Sequence, residues 1–159
     1  MAERVLVSAC LLGQRVRYNA EPLPALELLQ LWQQQGRLVV ICPEVAGGLP
    51  VPRPPAEAQA DGRILTVSGM DVSAAFAAGA SQAEALVRRY AIRIAILKAR
   101  SPSCGSGEIY DGSFSGQRIA GDGVTAARLK ALGVAVFTEA ELMQAAALLQ
   151  QLERQLADG

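Results

Sequence analysis

Four short aliphatic runs alternating with helix-period stretches predict an α/β fold, a three-layer sandwich around a mostly parallel, Rossmann-like sheet. Two further observations support and qualify that reading. The runs are β-branched and end at turn-rich or cysteine-bearing loops, and an Asp61-Gly62 pair between extended segments signals a small β-hairpin excursion. At 159 residues the chain has the usual size of one domain, and residues 1–159 are read as a single unit that buries a core without disulfide staples.

The elements follow in order. Val5 to Ala9 is the first strand, and LLGQRVRYNAEP after it is a loop. PALELLQLWQQQG is a helix: Pro24 suits its first turn, Leu26, Leu29 and Trp32 or Leu28 and Leu31 supply an apolar face, and Gly36 stops it. Leu38 to Ile41 is the second strand, so the first three elements form a βαβ unit. CPEVAGGLPVPRPPAEAQADG, rich in proline and glycine, is a long loop of the kind that carries function, and AEAQA, Asp61-Gly62 and RILTV form the hairpin. Val72, Phe76, Ala80, Ala83, Val87 and Tyr90 recur at helical spacing despite Gly79 in their midst, and Ile92 to Lys98 is the third strand. Gly123 to Leu132 is a short helix closed by Gly133, and VAVF is the fourth strand. Thr138 and Glu141 form a capping box for a last helix whose stripe is Leu142, Ala145, Leu149, Leu152 and Leu156. That stripe is read as core packing rather than a dimer seam, and a monomer or a homodimer is expected.

Charge and composition remove several functions. Formal net charge is zero, charged residues make up 19% and aromatics 4%, so neither a basic face for nucleic acid nor an acidic tail is expected. No segment approaches the roughly 20 apolar residues of a membrane span, and the N-terminus lacks a secretory pattern, which makes cytoplasm the expected compartment. Histidine is absent. Its absence excludes Ser-His-Asp and Cys-His catalysis and the common zinc sets, leaving thiolates, carboxylates, hydroxyls, amines or a cofactor.

The three cysteines, Cys10, Cys42 and Cys104, each lie at or just past the carboxyl end of a different predicted strand. In an open parallel sheet that edge is where ligands collect, so three thiols far apart in sequence converge on one place. A free cysteine also packs as a small hydrophobe. Cys42, directly after Val39-Val40-Ile41, fits core packing best, whereas Cys104, between Ser103 and Gly105 in a turn-rich loop, fits a solvent-facing position. Three thiolates at one point make an incomplete soft-metal site, suited to an open zinc or to an iron-sulfur cube with one iron free. Arg17, Arg53, Lys98 and Arg100 flank the cysteine loops, and cations there would stabilise the charge of about −1 on an oxidised cube with three thiolates. The glycines and helix start of GDGVTAAR stand at the same edge, where such ends attract anions.

Taken together, VSACLLGQRVRYNA, CPEVAGGLPVPRPPAE, LKARSPSCGSGEIYDGSFSG and GDGVTAARL resemble a family of small bacterial proteins first catalogued as a domain of unknown function, some of whose members are thiouracil desulfurases. The resemblance covers about residues 4 to 138, with four unusual loop signatures in the right order. It implies an oxygen-sensitive [4Fe-4S] cluster held by Cys10, Cys42 and Cys104, and a lyase-type, non-redox conversion of a small thiolated pyrimidine to uracil and sulfide. It also implies Glu44, in the CPE motif, as catalytic acid/base and Ser101, in RSPSC, as its hydroxyl partner. Ser103 could take the place of Ser101, and Tyr18, Tyr110 and Phe114 lie in loops where they could stack on a pyrimidine. A protein that binds a cluster, sulfide or metal without turnover, or a zinc hydrolase with three cysteine ligands and an open position, uses the same ligands.

Overall fold

A computed structural model describes residues 3–13, 17–19 and 26–158. Strands β1 (Val5–Ser8), β2 (Leu38–Ile41), β5 (Ile94–Leu97) and β8 (Ala135–Thr138) form a four-stranded, fully parallel sheet in the order β2-β1-β5-β8. Two hairpins stand apart from it: β3 (Ala56–Ala58) with β4 (Ile64–Thr66), and β6 (Glu108–Tyr110) with β7 (Arg118–Ala120). The helices are α1 (Glu27–Gln34), α2 (Pro43–Ala46), α3 (Ser73–Tyr90), α4 (Val124–Ala131) and α5 (Leu142–Asp158). No helix among the described residues is long and apolar enough to cross a membrane.

Alternation along the two central strands builds the three layers. Side chains of Leu6, Ala95 and Leu97 join one core with Ala83 and Val87 of α3 and Ala126 and Leu129 of α4. Their neighbours Val5, Val7, Ile94 and Ile96 join a second core with Leu29 and Trp32 of α1 and Ala145 and Leu149 of α5. Because β1 and β5 are covered on both faces, all eight of their residues are buried and, Ser8 apart, read as continuous aliphatic runs. The α5 stripe follows the expected pattern through Leu152, and Leu156 runs past the core and is exposed.

The capping box is present, with the Thr138 hydroxyl accepting from the Ala140 N–H and Glu141 accepting from the Thr138 N–H at 3.0 Å; it closes a short 3-10 turn that leads into α5. Pro24 lies outside the described residues, and α1 is followed through Gly36 at φ +69°, the left-handed stop expected there. The β3–β4 hairpin exists, although its connection spans residues 59–63 rather than the Asp-Gly pair alone, with the Gln59 N–H bonding the Arg63 carbonyl. Its apolar side, through Ile64, packs with Val72 and Phe76 of the α3 approach in a third small core.

Two features depart from the sequence reading. The stretch after Cys42 is not all loop: Pro43 at the first helical position starts α2. That short helix lies backbone to backbone on α3, where a Cβ on Gly79 would sit 1.8 Å from the Pro43 carbonyl oxygen and one on Gly47 would sit 1.9 Å from that of Ala75. Gly79 therefore stands in a helix interior because nothing larger fits. The β6–β7 hairpin is unforeseen in the sequence, being short and, along β7, fully exposed.

Candidate active site

All three cysteines come from the carboxyl edge of the sheet. Cys10 lies in a 3-10 turn (Ala9–Leu12) directly after β1, Cys42 is the N-cap residue of α2 just past β2, and Cys104 follows β5 in the next loop. Together with Glu44, Ser101 and Tyr18 they line one cavity of about 500 Å³. Cys104 and Cys10 reach it from opposite faces of the sheet, since the first belongs to the α3–α4 core and the second to the α1–α5 core.

Burial reverses the expected ranking. Cys104 is only 4% exposed and Cys42, not Cys104, is the half-buried one. The reason is that the Cys104 loop folds back onto the start of α4. The Val124 N–H donates to the Pro102 carbonyl at 2.9 Å, and the Thr125 and Ala126 N–H groups both donate to that of Ser103 at 2.8 and 3.2 Å. The loop carbonyls thereby take the donors that a helix N-terminus would offer an anion, so the anion role expected for GDGVTAAR is corrected: this helix start binds the chain itself. Gly123 is required at the junction, because a Cβ there would lie 2.4 Å from the Ser103 carbonyl.

Ser103 is likewise placed differently from expectation. It is fully buried, its hydroxyl is 2.8 Å from that of Thr125, and it is not part of the cavity wall. Its side chain holds the loop to α4 and does not face a ligand.

Ser101 and Glu44 meet across the cavity, the serine hydroxyl lying 3.3 Å from Glu44 Oε2. The Ser101 oxygen also accepts the N–H groups of Ser103 at 3.0 Å and Cys104 at 3.1 Å. A hydroxyl has two lone pairs and one hydrogen, so with both lone pairs engaged it is the hydrogen that Ser101 donates to Glu44 Oε2. Ser101 is thus a turn-forming serine and an oriented donor at once. Glu44 Oε1 is held from the other side by Arg53, at 3.2 Å from Nε and 3.1 Å from Nη2, and the Arg53 side chain is only 6% exposed. That buried guanidinium fixes the carboxylate and leaves Oε2 facing Ser101.

The thiols feel one another and their surroundings. Burial pushes the Cys104 thiol up to about 12, with the charges of Glu44, Cys10 and Cys42 adding to the rise and a hydrogen bond from Ser8 opposing it. Burial likewise raises Cys10 to about 11, Cys42 adding and the cations Lys98 and Arg17 opposing. Ser8 Oγ donates to Cys104 Sγ at 3.5 Å and accepts the Lys98 N–H at 3.0 Å, tying β1, β5 and the thiol together. At the end of β8, Glu139 pairs with Lys98 Nζ at 2.9 Å and accepts the Ala99 N–H at 2.8 Å. Of the flanking cations, Arg17, Arg53, Lys98 and Arg100 all line the cavity.

Ser8, Glu57 and Glu139 escaped the sequence reading as site residues, and Arg53, expected there only as a cation beside the cysteine loops, is the anchor of Glu44. Ser8 had a signal, since β-alternation from Leu6 turns it to the face that Cys104 occupies; the others depend on contacts made across the fold.

The donor set tests what this site can hold. Among the described residues no group of three or more Cys, Asp or Glu side chains is placed to hold one metal ion between them. A four-iron cube is wider than a single ion, and its ligands stand correspondingly further apart. Three soft thiols around one roomy cavity, two of them protonated at neutral pH unless a strongly cationic centre draws their protons off, fit such a cube.

Known proteins resemble this chain along most of its length. Residues 5–141 match the family described as 2-thiouracil desulfurase. The chain is 41% identical over 147 residues to the YbbK protein of Bacillus subtilis (strain 168), covering 87% of this chain and 97% of that one. A solved structure of the [4Fe-4S]-dependent thiouracil desulfidase TudS superposes with a TM-score of 0.90 at 48% identity, covering 94% of this chain and 99% of the other.

Proposed function

Because the chain belongs to the 2-thiouracil desulfurase family, we propose that it replaces the sulfur of a thiolated pyrimidine base with oxygen, with Cys10, Cys42 and Cys104 holding a [4Fe-4S] cluster. The observation that carries this reading is the meeting in one cavity of three thiols from three strands with the Glu44–Ser101 pair. When bound, a cluster with three protein ligands supplies an open, Lewis-acidic iron for the sulfur of the substrate.

The protein groups perform the proton chemistry. Glu44 Oε2 takes a proton from the water that adds to the thiolated ring carbon, while Arg53 keeps the carboxylate anchored and aimed. Ser101, its lone pairs engaged by the Ser103 and Cys104 amides, directs its one hydrogen to Glu44 Oε2, and turning that hydrogen to a ring nitrogen or oxygen of the bound base frees the carboxylate oxygen for the water. Thiobase and water become base and hydrogen sulfide, so no electrons are gained or lost. Tyr18 stands at the exposed side of the cavity as a wall of the substrate space. An open zinc site would need the same sulfurs drawn around one ion, a grouping not found among the described residues.

Purification without oxygen followed by iron and sulfide quantification tests the cluster, and chromatography of uracil formed from 2- or 4-thiouracil tests the reaction. Brown protein whose turnover is lost in Glu44→Gln is the expected outcome. Colourless, iron-free protein overturns the cluster, and full activity in Glu44→Gln overturns the role of the carboxylate.

A further inference from the structure

One carboxylate joins the two small hairpins beside the cavity. Glu57, the middle residue of β3, accepts on a single oxygen, Oε1, the N–H of Gly112 at 3.0 Å and that of Phe114 at 3.2 Å. Both donors belong to the connection between β6 and β7. Gln59 Nε2 adds a bond to the Gly112 carbonyl at 3.2 Å, and Gly112 approaches so closely that a Cβ would lie 2.7 Å from the Ala58 carbonyl oxygen. Two nearby amides converging on one anionic oxygen form a small backbone nest, here filled by a side chain of the same protein.

The nest holds a strained residue. Phe114 has φ +57°, a left-handed conformation that costs a bulky side chain energy and persists where surrounding contacts enforce it. Glu57 supplies such a contact to the Phe114 amide. Phe114, Tyr110 and Glu57 all line the cavity, and Phe114 is half-buried there. An aromatic ring set in a strained backbone at the wall of a ligand cavity matches a flat, neutral heterocycle in shape and polarity.

We infer that Glu57 is a positioning residue for substrate: it fixes residues 112–114 so that Phe114 forms the aromatic wall on which a planar pyrimidine packs. The inference rests on the proposed reading of the site for the identity of its ligand. Glu57 acts through Phe114 on binding and leaves the proton chemistry to Glu44 and Ser101.

The test uses the cluster-loaded protein with Glu57→Ala, Glu57→Gln and Phe114→Leu, measuring KM and kcat for thiouracil, equilibrium binding of uracil, and amide hydrogen exchange over residues 111–116. Glu57→Ala and Phe114→Leu should weaken uracil binding and raise KM about threefold to tenfold, the loss expected for one aromatic face, with kcat within about twofold and iron content unchanged. Exchange over 111–116 should accelerate in Glu57→Ala. Glu57→Gln, whose amide oxygen still accepts both N–H groups, should stay near wild type. Unchanged uracil binding in Glu57→Ala and Phe114→Leu, or a loss confined to kcat, overturns the inference, as does a Glu57→Gln protein as impaired as the alanine variant. A wild-type protein that binds uracil but turns over no thiobase would defeat the proposed reaction and leave the binding and exchange results to decide the role of Glu57.

Discussion

Substituting Gly79 by alanine sets two effects against each other, and the structure decides between them. In an open helix interior the change would add about 1 kcal/mol of stability through helix propensity. Here the new Cβ would lie 1.8 Å from the Pro43 carbonyl oxygen, where ordinary contact begins near 3.4 Å. Neither backbone is a flexible side-chain tip, so α2 and α3 must part by roughly 1.5 Å to restore normal carbon–oxygen contact. Overpacking of this kind costs about 1–3 kcal/mol, and with both sides of the clash being backbone the upper half of that range applies, for a net loss of about 1–2 kcal/mol. For a chain of this size the melting temperature should fall by about 3–8 °C. The displacement also moves Cys42 and Glu44, which α2 carries. The Glu44–Ser101 bond is already 3.3 Å long, and an added separation of that order breaks it. Activity of cluster-loaded Gly79→Ala should therefore drop by about tenfold to a hundredfold. Calorimetry and thiouracil turnover measured together are the assay. A variant that melts at or above the wild-type temperature and keeps its turnover would show that α2 yields freely, and the close approach would then explain nothing about the site.

Ser103→Ala should destabilise the fold by about 1–2 kcal/mol in urea unfolding, by leaving the Thr125 hydroxyl buried without its partner, while KM for thiobase stays unchanged. Arg53→Met breaks a pair whose side chains are 6% and 18% exposed, and should cost about 3 kcal/mol in the same assay, with loss of turnover as Glu44 loses its anchor. Glu139 has a pKa below the ordinary glutamate value, because burial, which would raise it, is outweighed by bonds from Lys98 and the Ala99 amide. Its contribution to stability is therefore present above the ordinary glutamate pKa and is lost as pH falls through the lower folded value. Unfolding of wild type and Glu139→Gln measured across acidic pH should show the difference between them shrinking toward low pH; a constant difference would refute the linkage.

The main sheet was legible because β1 and β5 are buried on both faces and so, Ser8 apart, appear as unbroken aliphatic runs, while α1, α3 and α5 carry one-sided stripes. The capping box and the first hairpin were equally local signals. The second hairpin left no such trace, since β7 buries none of its three residues and its stretch is mostly glycine and serine. At the site, strand-end placement brought Cys10, Cys42 and Cys104 to one edge, but their relative exposure depends on where the Cys104 loop is pinned by a helix some 20 residues later, which no local pattern encodes. Glu44 and Ser101 came from motif resemblance. Arg53 was legible as a nearby cation, but its hold on Glu44 from nine residues away, like the reach of Glu57 across to another hairpin, is visible only once the chain is folded.

The pinned start of α4 bears on what a pocket emptied of its contents would keep. The loop around Cys104 is moored by the main chain of Val124, Thr125 and Ala126, so the polypeptide itself supplies contacts that hold its shape. An emptied molecule would keep its scaffold intact and wait to be refilled.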